Sequence, residues 1–188
     1  MDIAIVNGTL VDGTGAPAFR ADVGITDDRI VAVGELGERA GRTIDATGRI
    51  VAPGFIDAHA HRDFALLRDP ANPEKVMQGV TTNVIGNCAL SPAPVNDAVR
   101  LFFENLLQHV LGTVKIRWEN FSDLLRLYET EGVAPNLASL AGQGTIRMAV
   151  MGMENRPPDD REMQAMQRHL AAAMEAGALG VSTGLMYP

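Results

Sequence analysis

After Pro53-Gly54, short apolar runs rich in β-branched residues alternate with segments of helical periodicity, and this alternation narrows the folds open to the chain more than any other feature. Strand-like runs fall at residues 54–59, 80–86, 136–140 and 178–182. Between them the pattern predicts helices over residues 73–79, about 95–110, 122–131 and 159–176. In the last of these, Met163, Met166, Leu170, Ala173 and Met174 recur at helical spacing and Gly177 closes the segment. The third is read with Ser122 as N-cap and Gly132 just past its end. Strand and helix in short alternation argue a parallel α/β sheet.

Residues 1–53 read differently. Ile3-Ala4-Ile5-Val6 ends at Asn7-Gly8, Thr9-Leu10-Val11 ends at Asp12-Gly13, and two runs meet across Asp27-Asp28-Arg29 as a hairpin. Thr43-Ile44-Asp45 and Ile50-Val51-Ala52 flank a turn at Thr47-Gly48. This is a small β-module of about 53 residues with little room for a helix, followed by the α/β region over residues 54–188.

Composition excludes several classes. The 188 residues are 46% hydrophobic and 21% charged, enough for one or two cored domains. The net charge is −7 with the basic residues scattered, so neither a nucleic-acid footprint nor a basic membrane face is expected. No apolar stretch approaches the roughly 18 residues of a membrane span. Met1-Asp2 lacks the basic and apolar regions of a signal peptide. The single cysteine, Cys88, cannot form an intramolecular disulfide. A reducing, cytoplasmic home fits these features.

The strongest local signal for chemistry is His59-Ala60-His61-Arg62-Asp63 at the end of the first run. Strand side chains alternate, so His59, His61 and Asp63 can project the same way. Two neutral imidazoles on one face can share a first-row metal, for which zinc is the usual ion. His-x-His alone is equally compatible with two surface or capping histidines.

Pro53-Gly54-Phe55-Ile56-Asp57 entering His59-Ala60-His61 resembles the first barrel strand of the amidohydrolase superfamily. The run from Gly79 through Asn87-Cys88 resembles the second strand of its N-acyl-D-amino-acid deacylase branch, as does Gly177 through Tyr187-Pro188 further along. The resemblance implies a (β/α)8 TIM-type barrel with metal bound at the strand ends, preceded by a sandwich-like β-module. Residues 54–188 would then be its first four β/α units, an incomplete barrel. In that branch a cysteine takes a metal-ligand position where others use a carboxylated lysine. A lone cysteine after an apolar strand is ordinarily a small buried hydrophobe. Beside the His59–His61 strand, however, Cys88 as thiolate is a third ligand for zinc.

Asp63 can orient a histidine, contact substrate or cap the following helix. Asp57, one step deeper, reads as a structural acceptor. Gln143 stands where relatives often carry histidine, and as an amide it can hydrogen-bond substrate but not transfer protons. Tyr187 matches a family tyrosine that binds the substrate α-carboxylate, and can equally be a rim aromatic beside Pro188. His109 and His169 lie in helical segments, solvated or structural, and Lys115 follows a break rather than a strand.

The resemblance implies zinc-dependent hydrolysis of N-acyl-D-amino acids by a zinc-activated water, with a late-strand aspartate as general base beyond residue 188. The small-molecule substrate would be met by a site of which this chain carries only part. Rival readings are a hydantoinase-like opening of cyclic amides, against which Cys88 speaks, and a non-catalytic half-barrel. The fourth strand of a half-barrel would be an open edge, inviting self-association.

Overall fold

Parallel pairing in one region and mixed pairing in the other divide the molecule. A computed structural model describes residues 1–37, 40–108 and 115–185. The chain forms two compact units, Met1–Gly54 and Phe55–Pro188. The fold is mixed α/β.

In the first unit, β1 (Ile3–Val6), β2 (Thr9–Leu10), β3 (Phe19–Arg20), β4 (Asp22–Thr26), β5 (Arg29–Gly34), β6 (Arg42–Asp45) and β7 (Ile50–Val51) make two sheets, ordered β5-β4-β1-β6 and β3-β2-β7. The β4–β5 hairpin forms at the expected turn, where Asp27 takes a left-handed φ of 52°. Asp2 steadies it by accepting a hydrogen bond from the Asp27 N–H at 2.7 Å. Ala4, Leu10, Val23 and Ala46 supply this unit's buried apolar groups.

In the second unit, β8 (Phe55–Asp57), α1 (Ala65–Arg68), α2 (Pro73–Val76), β9 (Val80–Ile85), α3 (Asp97–Gln108), α4 (Phe121–Glu131), β10 (Asn136–Ser139), β11 (Ala141–Gly142), α5 (Gln143–Met151), α6 (Asp160–Ala176) and β12 (Val181–Ser182) follow in order. β8, β9 and β10 are parallel neighbours, with Ile56 opposite Thr82 and Ser139 opposite Ile85. β11 pairs in parallel with β12. Leu179 donates to Ser139 and the Ala141 N–H to Gly180, both at 2.9 Å, so hydrogen bonding passes from β10 into the final strand segment.

The core lies between these strands and the helices. Leu66, Ile85, Val99, Phe103, Trp118, Leu124 and Ile146 are among its buried members. Phe64 packs against Phe103 with centroids 4.7 Å apart and the rings tilted at 51°, and the Trp118 indole N–H donates to the Pro92 carbonyl at 2.7 Å.

Sequence expectations shift at element ends. The cap of α4 is Asn120, not Ser122: its extended backbone aims Oδ1 at the Asp123 N–H, 2.9 Å away, while Ser122 is already helical. α6 starts from a capping box of Asp159 and Glu162. α5 has no strong sequence signal, since Gly144, Thr145, Ile146 and Val150 are poor helix formers. Buried Thr145, Ile146 and Met148 hold it through tertiary packing. His109 lies outside the described residues, His169 is exposed on α6, and Lys115 is exposed outside any element. Among the described residues no helix is long and apolar enough to cross a membrane.

Candidate metal centre

The ends of β8 and β9 bring His59, His61 and Cys88 together. One potential ligand atom from each lies within 4.8 Å of the others. His59 Nε2 is 3.2 Å from Cys88 Sγ, and the two imidazole centroids are 5.2 Å apart with their planes at 63°. Both histidines are exposed and the cysteine is half-buried, so the cluster is open on one side.

The donors fit zinc in kind, and the His59–Cys88 pair fits it in spacing. A tetrahedral ion at about 2.3 Å from sulfur and about 2.0 Å from nitrogen sets those two ligand atoms roughly 3.6 Å apart. The His59–Cys88 contact must open by only a few tenths of an ångström to match. Imidazole and thiolate are also the donors that zinc prefers over calcium or magnesium.

The two sides of the cluster are built differently. On the β8 side, Asp57 accepts the His59 N–H at 3.3 Å and pairs with Lys75 from α2. The Lys75 ammonium, then the His59 N–H, hold the Asp57 carboxyl below the usual range. Asp57 is thus a structural acceptor.

On the β9 side, the chain leaves Ile85 through Gly86, Cys88 and Ala89, whose φ values are 76°, 54° and 65°. Only glycine adopts this left-handed region without a steric cost. Gly86 also runs so close to the next strand that an added Cβ would overlap the Leu140 carbonyl. Distant groups hold the turn. Ser182 Oγ donates to the Gly86 carbonyl and accepts the Ala89 N–H at 3.1 Å. The Ala89 carbonyl accepts the Thr145 N–H, 3.0 Å away at the start of α5.

Asp63 is buried, with 7% of its surface exposed. Its Oδ1 accepts the Gly86 N–H at 2.7 Å, and its carbonyl accepts the Tyr128 hydroxyl at 2.7 Å. Burial pushes its carboxyl up to about 6, against the opposing pull of the Gly86 N–H. Gln143 is exposed as the first residue of α5. It lines a cavity of about 340 Å³ with Ile146, Met163, Met166, Leu170 and Val181. Tyr187 lies outside the described residues.

The side-chain roles of Asn87, Ser182 and Lys75 have no signal in the sequence. Gly86-Asn87 after an apolar run does signal a turn, but the partners of these side chains are up to 96 residues away.

Residues 42–186 match the profile of the Amidohydrolase family. Across its whole length the chain is 42% identical to the D-aminoacylase of Alcaligenes xylosoxydans xylosoxydans, spanning 38% of that relative. It is similar to a D-aminoacylase structure determined to define the role of its binuclear metal centre, with a TM-score of 0.91, 42% identity and coverage of 100% of this chain and 39% of that one. It is likewise similar to an N-acyl-D-glutamate deacylase from Bordetella bronchiseptica, complexed with zinc and a phosphonate mimic of the tetrahedral intermediate. There the TM-score is 0.87 and the identity 41%, over 99% of this chain and 39% of that one.

Proposed function

Because the chain belongs to the Amidohydrolase family, we propose that the complete protein hydrolyses the amide bond of N-acyl-D-amino acids, with zinc held by His59, His61 and Cys88. The observation that carries this reading is a thiol 3.2 Å from one imidazole of a His-x-His pair, at the ends of neighbouring parallel strands. The activities of the similar deacylases support the substrate class, and the zinc in one of them supports the metal.

Bound zinc supplies Lewis acidity that polarises an amide carbonyl and lowers the pKa of water toward neutrality. The chain's own residues set the conditions. Two neutral imidazoles and one thiolate offset a single positive charge of a divalent ion, leaving the centre electrophilic. Gln143 is assigned to hydrogen-bonding substrate, and Tyr187 to the α-carboxylate by resemblance.

The parallel order β8-β9-β10, continued through β11 to β12, supports reading residues 54–188 as the first four units of a (β/α)8 barrel and residues 1–53 as a sandwich-like module. Such a barrel takes about 250 residues, and the chain spans about two fifths of the relatives it matches. Residues 1–188 would then hold only part of the site and, alone, show no turnover. β8 and β12 would be open edges through which they self-associate. A cytoplasmic location accompanies this reading.

The test is an assay of the full-length protein on N-acyl-D-amino acids, their L-enantiomers and hydantoins, before and after chelation. Fast, chelator-sensitive turnover of the D-series is expected. Equal rates on both enantiomers, or activity on cyclic amides alone, would reject the assignment.

A further inference from the structure

We propose that Asn87 is a positioning residue that sets the distance between Cys88 and the two histidines, and so tunes the metal affinity of the centre. This rests on His59, His61 and Cys88 being metal ligands. Asn87 is buried, with 6% of its surface exposed, and precedes the cysteine directly. Its side-chain amide donates to the Val84 carbonyl at 2.8 Å and to the Ala60 carbonyl at 3.2 Å. Ala60 is the residue between the two histidines. One side chain therefore ties the strand before the cysteine to the segment that carries both imidazoles.

The tie has work to do because the local backbone does not favour the turn. Cys88 and Ala89 both hold left-handed conformations, which are strained for residues with a Cβ and persist only where the surroundings over-determine them. The Ala60 N–H already donates to the Val84 carbonyl at 2.9 Å. Asn87 adds a side-chain crosslink between the same two strand ends, on the other polar group of Ala60. Asp63 adds a third contact by accepting the Gly86 N–H. Without Asn87 the Ala60 carbonyl loses this donor, and the Cys88 turn is anchored only through Gly86 and Ala89. The thiol is then free to drift relative to the imidazoles. Groups that orient ligands in this way typically change metal affinity by about 10- to 100-fold when removed.

The experiment is cobalt(II) titration of the full-length protein against a competing chelator, following the thiolate-to-cobalt charge-transfer absorption. Wild type, Asn87→Ala and the milder Asn87→Ser are compared, with Asn120→Ala as a control that loses the α4 cap. Wild type is expected to show the thiolate band. Asn87→Ala and Asn87→Ser should bind cobalt about 10- to 100-fold more weakly, with a reduced or shifted band and an unaltered far-ultraviolet circular dichroism spectrum. Asn120→Ala should lower the melting temperature and leave cobalt affinity unmoved. Absence of the band in wild type would remove the metal reading itself. A normal wild-type band with unchanged affinity and spectrum in a folded Asn87 variant would overturn the positioning role alone. If Asn87→Ala does not fold, Asn87→Ser decides.

Discussion

The His59–His61 segment and the Cys88 turn meet at one point, but they are held there by different means. The histidines simply continue beyond β8, two residues apart. Their support comes from Asp57, two residues before His59, and from the end of β9, where the Val84 carbonyl accepts the Ala60 N–H and the Asn87 amide donates to the Ala60 carbonyl. The cysteine arrives on a turn of three left-handed residues pinned by Asp63, Asn87, Thr145 and Ser182, drawn from four parts of the chain. Half of the centre is therefore written in strand periodicity, and the other half depends on the assembled sheet.

The largest effects should come from the proposed ligands themselves. His61→Ala and Cys88→Ala should each lower zinc affinity by at least about 100-fold and remove most deacylase activity, since a lost ligand alters both charge and geometry. Metal analysis by mass spectrometry checks this, and full zinc occupancy in Cys88→Ala would remove the thiol from the centre.

Next comes the turn. Gly86→Ala forces a Cβ into the Leu140 carbonyl at a φ of 76° and should cost about 3 kcal/mol or more. Gly48→Ala in the β-module, at a φ of 71° with open space around it, should cost only about 1 to 2 kcal/mol. Urea unfolding of both variants measures the contrast. Equal costs would mean that the close approach to Leu140 is not what constrains the turn.

A smaller loss, about 1 kcal/mol, is expected for Tyr128→Phe, which leaves the buried Asp63 carbonyl without its hydroxyl donor. Thermal unfolding of this variant showing no change would place that carbonyl outside the stabilising network.

The slightest effect lies on α6, away from the turn. Arg156, and then the Asp159 N–H, hold the Glu162 carboxyl down at about 2 in the folded chain, against an ordinary 4.5. A carboxyl depressed on folding adds stability that is present above its unfolded value and lost as the pH falls through about 2. Glu162→Gln should therefore flatten the acid limb of the stability profile and leave cobalt binding at neutral pH unchanged. An identical acid limb in the variant would reject the role of this carboxylate.

How much of this was legible in the sequence follows the same division. The strands β8, β9 and β10 and the long helices are set by apolar periodicity, and they appear within a few residues of the expected bounds. His59 and His61 could be paired because a strand end preserves parity. Cys88 could be placed beside them only through the family resemblance, since no local pattern says which way a left-handed turn aims its side chain. Helix α5 and the roles of Asn87 and Ser182 were hidden for a common reason. Each depends on contacts between residues distant in sequence, such as Ser182 with Gly86 or Thr145 with Ala89. Ser122 is not the cap for a simpler reason: Asn120, two residues earlier, competes for the same role and has the extended backbone that a cap requires.

A thiol and two imidazoles from these two unlike segments are proposed to hold one metal ion. X-ray absorption at the zinc edge, on full-length protein loaded with one equivalent of zinc, decides whether they do. One sulfur at about 2.3 Å beside nitrogen or oxygen at about 2.0–2.1 Å is predicted, with the sulfur shell absent in Cys88→Ala. A wild-type spectrum fitted by nitrogen and oxygen alone, or one that Cys88→Ala leaves unchanged, would contradict the account.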